Sequence, residues 1–85
     1  MRPDGTAATA EATLAAVRRG IASGDSAALD IQREPLLRLA VAEAEAAWLA
    51  GQLFAKGLSV PPDLVRAEFW YLGAESMGHP EAIFE

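Results

Sequence analysis

The apolar positions along this chain recur at helical spacing, and no stretch alternates apolar and polar residues in the manner of a strand. Ala10, Leu14, Val17 and Ile21 fall at i, i+4, i+7 and i+11, predicting a first helix from about residue 6, capped by Thr6, to about Ser23. Residues 1–5 read as a loose leader. Gly24 suits the position just past a helix, and Asp25 suits the next N-cap. A short second helix over Ser26 to Arg33 is expected to stop before Pro35.

Pro35 then suits the first turn of a long helix running to about Lys56, where Gly57 ends it. Its polar strip is limited to Arg38, Glu45, Gln52 and Lys56. The remaining circumference, with Leu36, Leu37, Leu39, Val41, Trp48, Leu53, Phe54 and alanines, is wide enough to be covered on several sides, so this reads as the central helix. After the turn GLSVPPD a last helix starts with Pro61 and Pro62 in its first turn and Asp63 at its positive end. It runs to about Met77, where Gly78-His79-Pro80 breaks it.

That last helix raises a problem of direction. Phe69, Trp70 and Tyr71 are consecutive, so they point three ways. At 100° per residue Val65, Phe69 and Leu72 share one face, while Ala67, Tyr71 and Ala74 lie nearly opposite. A helix serving one core needs only one of these faces.

From Ala46 onward a spacing emerges: Ala46, Gly51, Phe54, Gly57, Val60, Asp63, Ala67, Trp70, Tyr71, Ala74, Gly78, Ala82. Each position has a physical reason. Small residues at 46, 51, 67 and 74 let two helices approach closely, and Phe54, Trp70 and Tyr71 fill the wider gaps. Gly57 and Gly78 end helices, Val60 anchors the turn, and Asp63 sits at free backbone N–H groups. The pattern over residues 46–82 resembles one Sel-one-like repeat, a relative of the tetratricopeptide repeat made of two antiparallel helices.

The resemblance implies an all-α fold of antiparallel helix pairs in a right-handed, tetratricopeptide-like stack. Residues 6–34 would form a degenerate or capping pair, residues 35–82 the repeat pair, and residues 83–85 a terminal stub. A shift of about 37 residues aligns Val17 with Phe54 and Gly20 with Gly57, though the rest of the register is weak. The chain also departs from the repeat pattern. Ala50 replaces a leucine, Ser59 a second turn glycine and Glu75 an alanine. Val65, Phe69 and Leu72 stand where the family carries polar or charged residues.

Composition narrows the function. Eighty-five residues suffice for one small domain, and a net charge of −5 without a basic patch disfavours nucleic acid and anionic membrane surfaces. There is no cysteine, hence no disulfide and no thiolate metal site. Neither a secretory signal nor a membrane span is legible, which makes the cytoplasm the expected location. His79 is the only histidine and has no companion at metal-ligand spacing. Glu43 and Glu45 are expected on different faces of one helix, and no nucleophile and base can be assembled from Ser23, Ser26, Ser59, Ser76 and one histidine. No catalytic, cofactor or metal residue is therefore assigned, and no cofactor is expected.

What remains is binding. The resemblance implies a non-catalytic protein-interaction module, an adaptor, inhibitor or scaffold, with another protein as partner. Val65, Phe69 and Leu72 are the candidate contact residues, with Phe69 as anchor and Glu68, Glu75 and Glu81 inclining the surface toward a basic rim. Burying the three apolar side chains would be worth about 4 to 8 kcal/mol before entropy costs. Two covers are open for them: the chain's own first two helices, or a partner. A small structural subunit that homodimerises or sits in an obligate complex is the alternative function. An enzyme with a dispersed site would need a convergent acid/base pair that the sequence does not show.

Overall fold

The computed structural model describes residues 5–79, with side chains from residue 10 onward. It is all-α: α1 spans Gly5–Ser23, α2 Ser26–Ala40, α3 Ala44–Lys56 and α4 Leu64–Ser76. There is no strand among the described residues. Each helix packs on the next, and α1 also reaches α3. One hydrophobic core holds Leu14, Val17, Leu29, Leu36, Leu49 and Leu53 together with alanines 40, 46, 47, 50 and 74.

The stripe on α1 is buried as its spacing predicts, Val17 completely and Leu14 nearly so, with Ile21 packed against the core. The helix begins at Gly5, so Thr6 lies inside its first turn instead of capping it. Gly24 adopts a positive φ of 69°, and Asp25 N–H donates across the end to Gly20 O at 2.9 Å. The Asp25 carboxylate in turn accepts from Ala28 N–H at 3.1 Å, opening α2 as expected.

The second and third helices do not follow the expected boundaries. Pro35 neither ends a short helix nor starts a long one; it lies inside α2, which continues to Ala40. The carbonyl that loses its N–H partner belongs to Ile31, an exposed residue. Leu29, Leu36 and Ala40, at i, i+7 and i+11, are buried on both sides of the proline. Their burial outweighs the roughly 3 kcal/mol an interior proline costs.

The break falls instead at residues 41–43, which contain neither glycine nor proline. There Leu39 O accepts from both Ala42 N–H at 3.0 Å and Glu43 N–H at 2.8 Å, closing the turn, and Glu43 takes an extended conformation before α3. A continuous helix would hold Leu36 and Leu53 about 26 Å apart. With the break, both join one core. The apolar arc expected of a single long helix is thus split, and Val41 is left 74% exposed at the junction. The central role belongs to α3 alone, which buries Ala46, Ala47, Leu49, Ala50, Gly51, Leu53 and Phe54.

Two crossings are closed by glycines. A Cβ on Gly20 would lie 2.7 Å from Leu29 Cδ2, and a Cβ on Gly51 would lie 2.6 Å from Tyr71 Cε1. Gly20 therefore seats α2 against α1 from within a helix, and its alignment with Gly57 as a helix terminator fails. Gly57 does end α3, at φ 73°, with Leu53 O accepting from both Gly57 N–H and Leu58 N–H.

The turn before α4 is held by Phe54 O, which accepts from Asp63 N–H at 2.9 Å. Pro61 and Pro62 precede α4 and do not form its first turn; Asp63 is the N-cap, accepting from Arg66 N–H at 3.1 Å. Gly78 ends the helix region at φ 91°, with His79 N–H donating to Ala74 O at 3.0 Å. The expectations for Glu81, Ala82 and the stub at residues 83–85 lie outside the described residues, as do residues 1–4 of the loose N-terminus expected over residues 1–5; Gly5, its last residue, instead opens α1.

Candidate interaction surface

The helix α4 inverts the usual division of labour in an amphipathic helix. Its buried residues are the small Ala67 and Ala74, while Val65 is 78%, Phe69 64% and Leu72 56% exposed. The first two helices do not cover this face. Of the two covers left open by the sequence, the intramolecular one is overturned. The reason is geometric: α4 packs on α3, and its opposite face looks away from the body of the bundle.

Trp70 and Tyr71 take different roles from their neighbour. Trp70 is partly buried against the core, and Tyr71 lays its ring over Gly51. Burial raises the Tyr71 phenol above its ordinary pKa of 10.0. Phe69 packs edge-on against Trp70, with ring centroids 4.9 Å apart, so its exposed ring is oriented by a partly buried one. A rigid aromatic of this kind loses little rotamer freedom on being covered.

Beside this face lies a groove of about 500 Å³ between α4 and the junction of α2 and α3. Phe69, Trp70, Leu72 and Met77 form one wall, Val41 stands on the other, and the small Ala40, Gly73 and Ser76 complete the lining. The sequence reasoning missed Val41 and Met77. Val41 had been assigned to the covered arc of a long helix, so only the unpredicted break at residues 41–43 could have exposed it.

Glu68 and Glu75 flank Leu72 on the helix surface, at i−4 and i+3, and Glu43 is exposed two residues after Val41. None of the three has an ion pair among the described residues. The arginines nearest the groove in sequence are engaged, Arg38 with Glu34 at 3.3 Å and Arg66 with Asp63 at 3.4 Å. Arg66 also lies over the Phe54 ring, 5.8 Å from its centroid.

The polar clusters elsewhere are structural. Ser59 has a φ of 68°, the conformation a glycine would adopt without strain at this turn. Arg33 Nη1 donates to Ser59 O and Ser59 Oγ, both at 2.8 Å, and Ser59 Oγ donates to Asp30 Oδ1 at 2.6 Å. This buckle ties α2 to the turn before α4 and offsets the local strain. A second tie, Arg18 with Glu45, joins α1 to α3. Trp48 and His79 stack at 5.1 Å, giving the single histidine a packing role.

Among the described residues, no three His, Asp or Glu side chains converge as a metal site would require. No buried side-chain polar atom there is without a hydrogen-bond partner. No described helix is long and apolar enough to cross a membrane. No family model matches the chain, and neither a curated protein nor a solved structure matches it.

Proposed function

We propose that this chain is a non-catalytic protein-interaction module, an adaptor, inhibitor or scaffold, that docks a partner protein on the outward face of α4. One observation carries the reading: Val65, Phe69 and Leu72 are exposed together on a helix whose other face already serves the core. An exposed apolar patch of a few hundred Å² matches the largest patch on a typical monomer, and such patches are often functional.

The Sel-one-like resemblance is consistent with this proposal and is part of it. Contacts between α3 and α4 run in opposite order, Phe54 near Arg66, Gly51 near Tyr71 and Trp48 near His79, which supports an antiparallel pair. Gly57, Asp63 and Gly78 hold the turn and cap positions that the repeat asks of them. The right-handed stack, with α1 and α2 as a capping pair, belongs to the same proposal, as does a cytoplasmic setting.

The test is Phe69→Glu. It is expected to fold like the parent by circular dichroism and thermal unfolding, since the side chain is mostly in water, while losing a partner that the parent retains in affinity capture. Loss of several kcal/mol of stability would make Phe69 core and remove the docking face. The alternative, a small structural subunit that homodimerises or sits in an obligate complex, rests on the same exposed face. Light scattering at micromolar concentration separates the two, because a monomer excludes the constitutive homodimer.

A further inference from the structure

We infer that the groove between Val41 and α4 takes an amphipathic α-helix of another protein, one whose apolar stripe is flanked by lysine or arginine. This rests on the docking reading above and adds the chemistry of the occupant. The dimensions fit a helix. Along α4 the groove is lined from Phe69 to Met77, about 12 Å or two helical turns, and Val65 extends the apolar face one turn further. The anchors Val65, Phe69 and Leu72 at i, i+4 and i+7 match the spacing of a facing helix.

Charge selects the sign of the flanks. The apolar face of α4 is flanked by Glu68 and Glu75 on the edge away from the groove, and Glu43 is exposed two residues past Val41. None of the three has an ion pair among the described residues, while Arg38 and Arg66 are already matched to Glu34 and Asp63. Basic residues beside an apolar stripe would meet these acids; acidic ones would be repelled.

A second copy is the poorer occupant for the same reason. When a helix face pairs with itself about a two-fold axis perpendicular to the helices, they run antiparallel and equivalent flanks meet. Glu68 and Glu75 of one copy would then face the same carboxylates of the other. The exposed patch, a few hundred Å², also falls short of the roughly 800 Å² per partner of a stable interface between two folded proteins. It suits a segment better than a globular surface. The chain's own residues 80–85 carry Glu81 and Glu85 and so have the wrong sign as well.

The test uses two fluorescently labelled peptides of about 14 residues, with the same leucine stripe at i, i+3, i+4 and i+7 and with either lysine or glutamate on the flanks. Anisotropy titrations of the full chain should show the lysine peptide binding about tenfold more tightly or better, with the margin shrinking at high salt. Phe69→Ser and Leu72→Ser should each weaken both peptides. The pair Glu68→Lys and Glu75→Lys should reverse the preference, whereas Glu11→Lys on the exposed side of α1 should not.

If both peptides bind equally and Phe69→Ser abolishes both, the basic partner is wrong while the docking face stands. If Phe69→Ser and Leu72→Ser change neither, the docking face falls too. A lysine preference that survives the double reversal would reduce the effect to net charge and overturn the inference. Concentration-dependent dimerisation lost in Phe69→Ser would assign the groove to a second copy instead.

Discussion

Helices α3 and α4 are each 13 residues long and both are rich in apolar residues, yet they meet opposite fates. In α3 seven residues are buried, large and small alike; in α4 only Ala67 and Ala74 are. The difference lies in where the bulk sits. Leu49 and Leu53 join a core shared with α1 and α2, whereas α4 buries its alanines and turns Val65, Phe69 and Leu72 outward. Apolar content alone therefore does not predict burial. A helix that meets its core through alanines, Trp70 and Tyr71 and still turns Val65, Phe69 and Leu72 outward carries surplus hydrophobicity, and the docking proposal rests on that surplus.

The sharpest way to break this comparison is to truncate one large residue on each helix. Leu53→Ala removes a fully buried side chain and should cost about 2 to 5 kcal/mol. In a chain of 85 residues that is a large share of the total stability, so the midpoint of urea unfolding should collapse or vanish. Val65→Ala on α4 should stay within about 0.5 kcal/mol of the parent. Equal costs for the two would mean that the outward face of α4 is covered in solution.

Glycines sharpen the comparison at a smaller scale. Gly51→Ala puts a Cβ 2.6 Å from the Tyr71 ring, while nothing lies within 4 Å of a Cβ at Gly73. Both replacements gain helix propensity, worth about 1 kcal/mol. At position 51 the overlap with Tyr71 should outweigh it, leaving a net loss of about 1 to 2 kcal/mol. At position 73 the gain should appear undiminished, a stabilisation of about 0.5 to 1 kcal/mol. Urea denaturation of the two variants should thus shift in opposite directions.

The same contrast explains what could be read from the sequence. The caps and stops were legible wherever a residue's own chemistry fixes the backbone: Gly24, Gly57 and Gly78 at positive φ, Asp25 and Asp63 as N-caps. So was the doubled apolar face of α4, since helical periodicity alone separates Val65, Phe69 and Leu72 from Ala67 and Ala74. The break at residues 41–43 was not legible. Proline is a strong local signal and alanine a weak one, so local reasoning placed the boundary at Pro35; the requirement that Leu36 and Leu53 share one core moved it. With it went Val41, and half of the groove. The buckle at Ser59 was hidden for a related reason, because Asp30 and Arg33 reach it from a different helix.

The smallest effect tests the contact between the two helices by pH. Tyr71 is the only tyrosine, so the tyrosinate absorbance of the folded chain reports one group. Burial against α3 favours its neutral form and raises its pKa. An acid whose folded pKa lies above its unfolded value of about 10 leaves stability intact below that pH. As pH rises beyond it, the unfolded chain ionises first, and stability is lost through the folded pKa. Unfolding free energy should therefore fall above about pH 10, and Tyr71→Phe should flatten that part of the slope. Gly73→Ala should leave the titration where it is, since no side chain meets that position. Gly51→Ala should move it toward the ordinary value, because displacing the ring from α3 returns the phenol to water. If the titration ignores Gly51, the ring is not held where α3 and α4 cross.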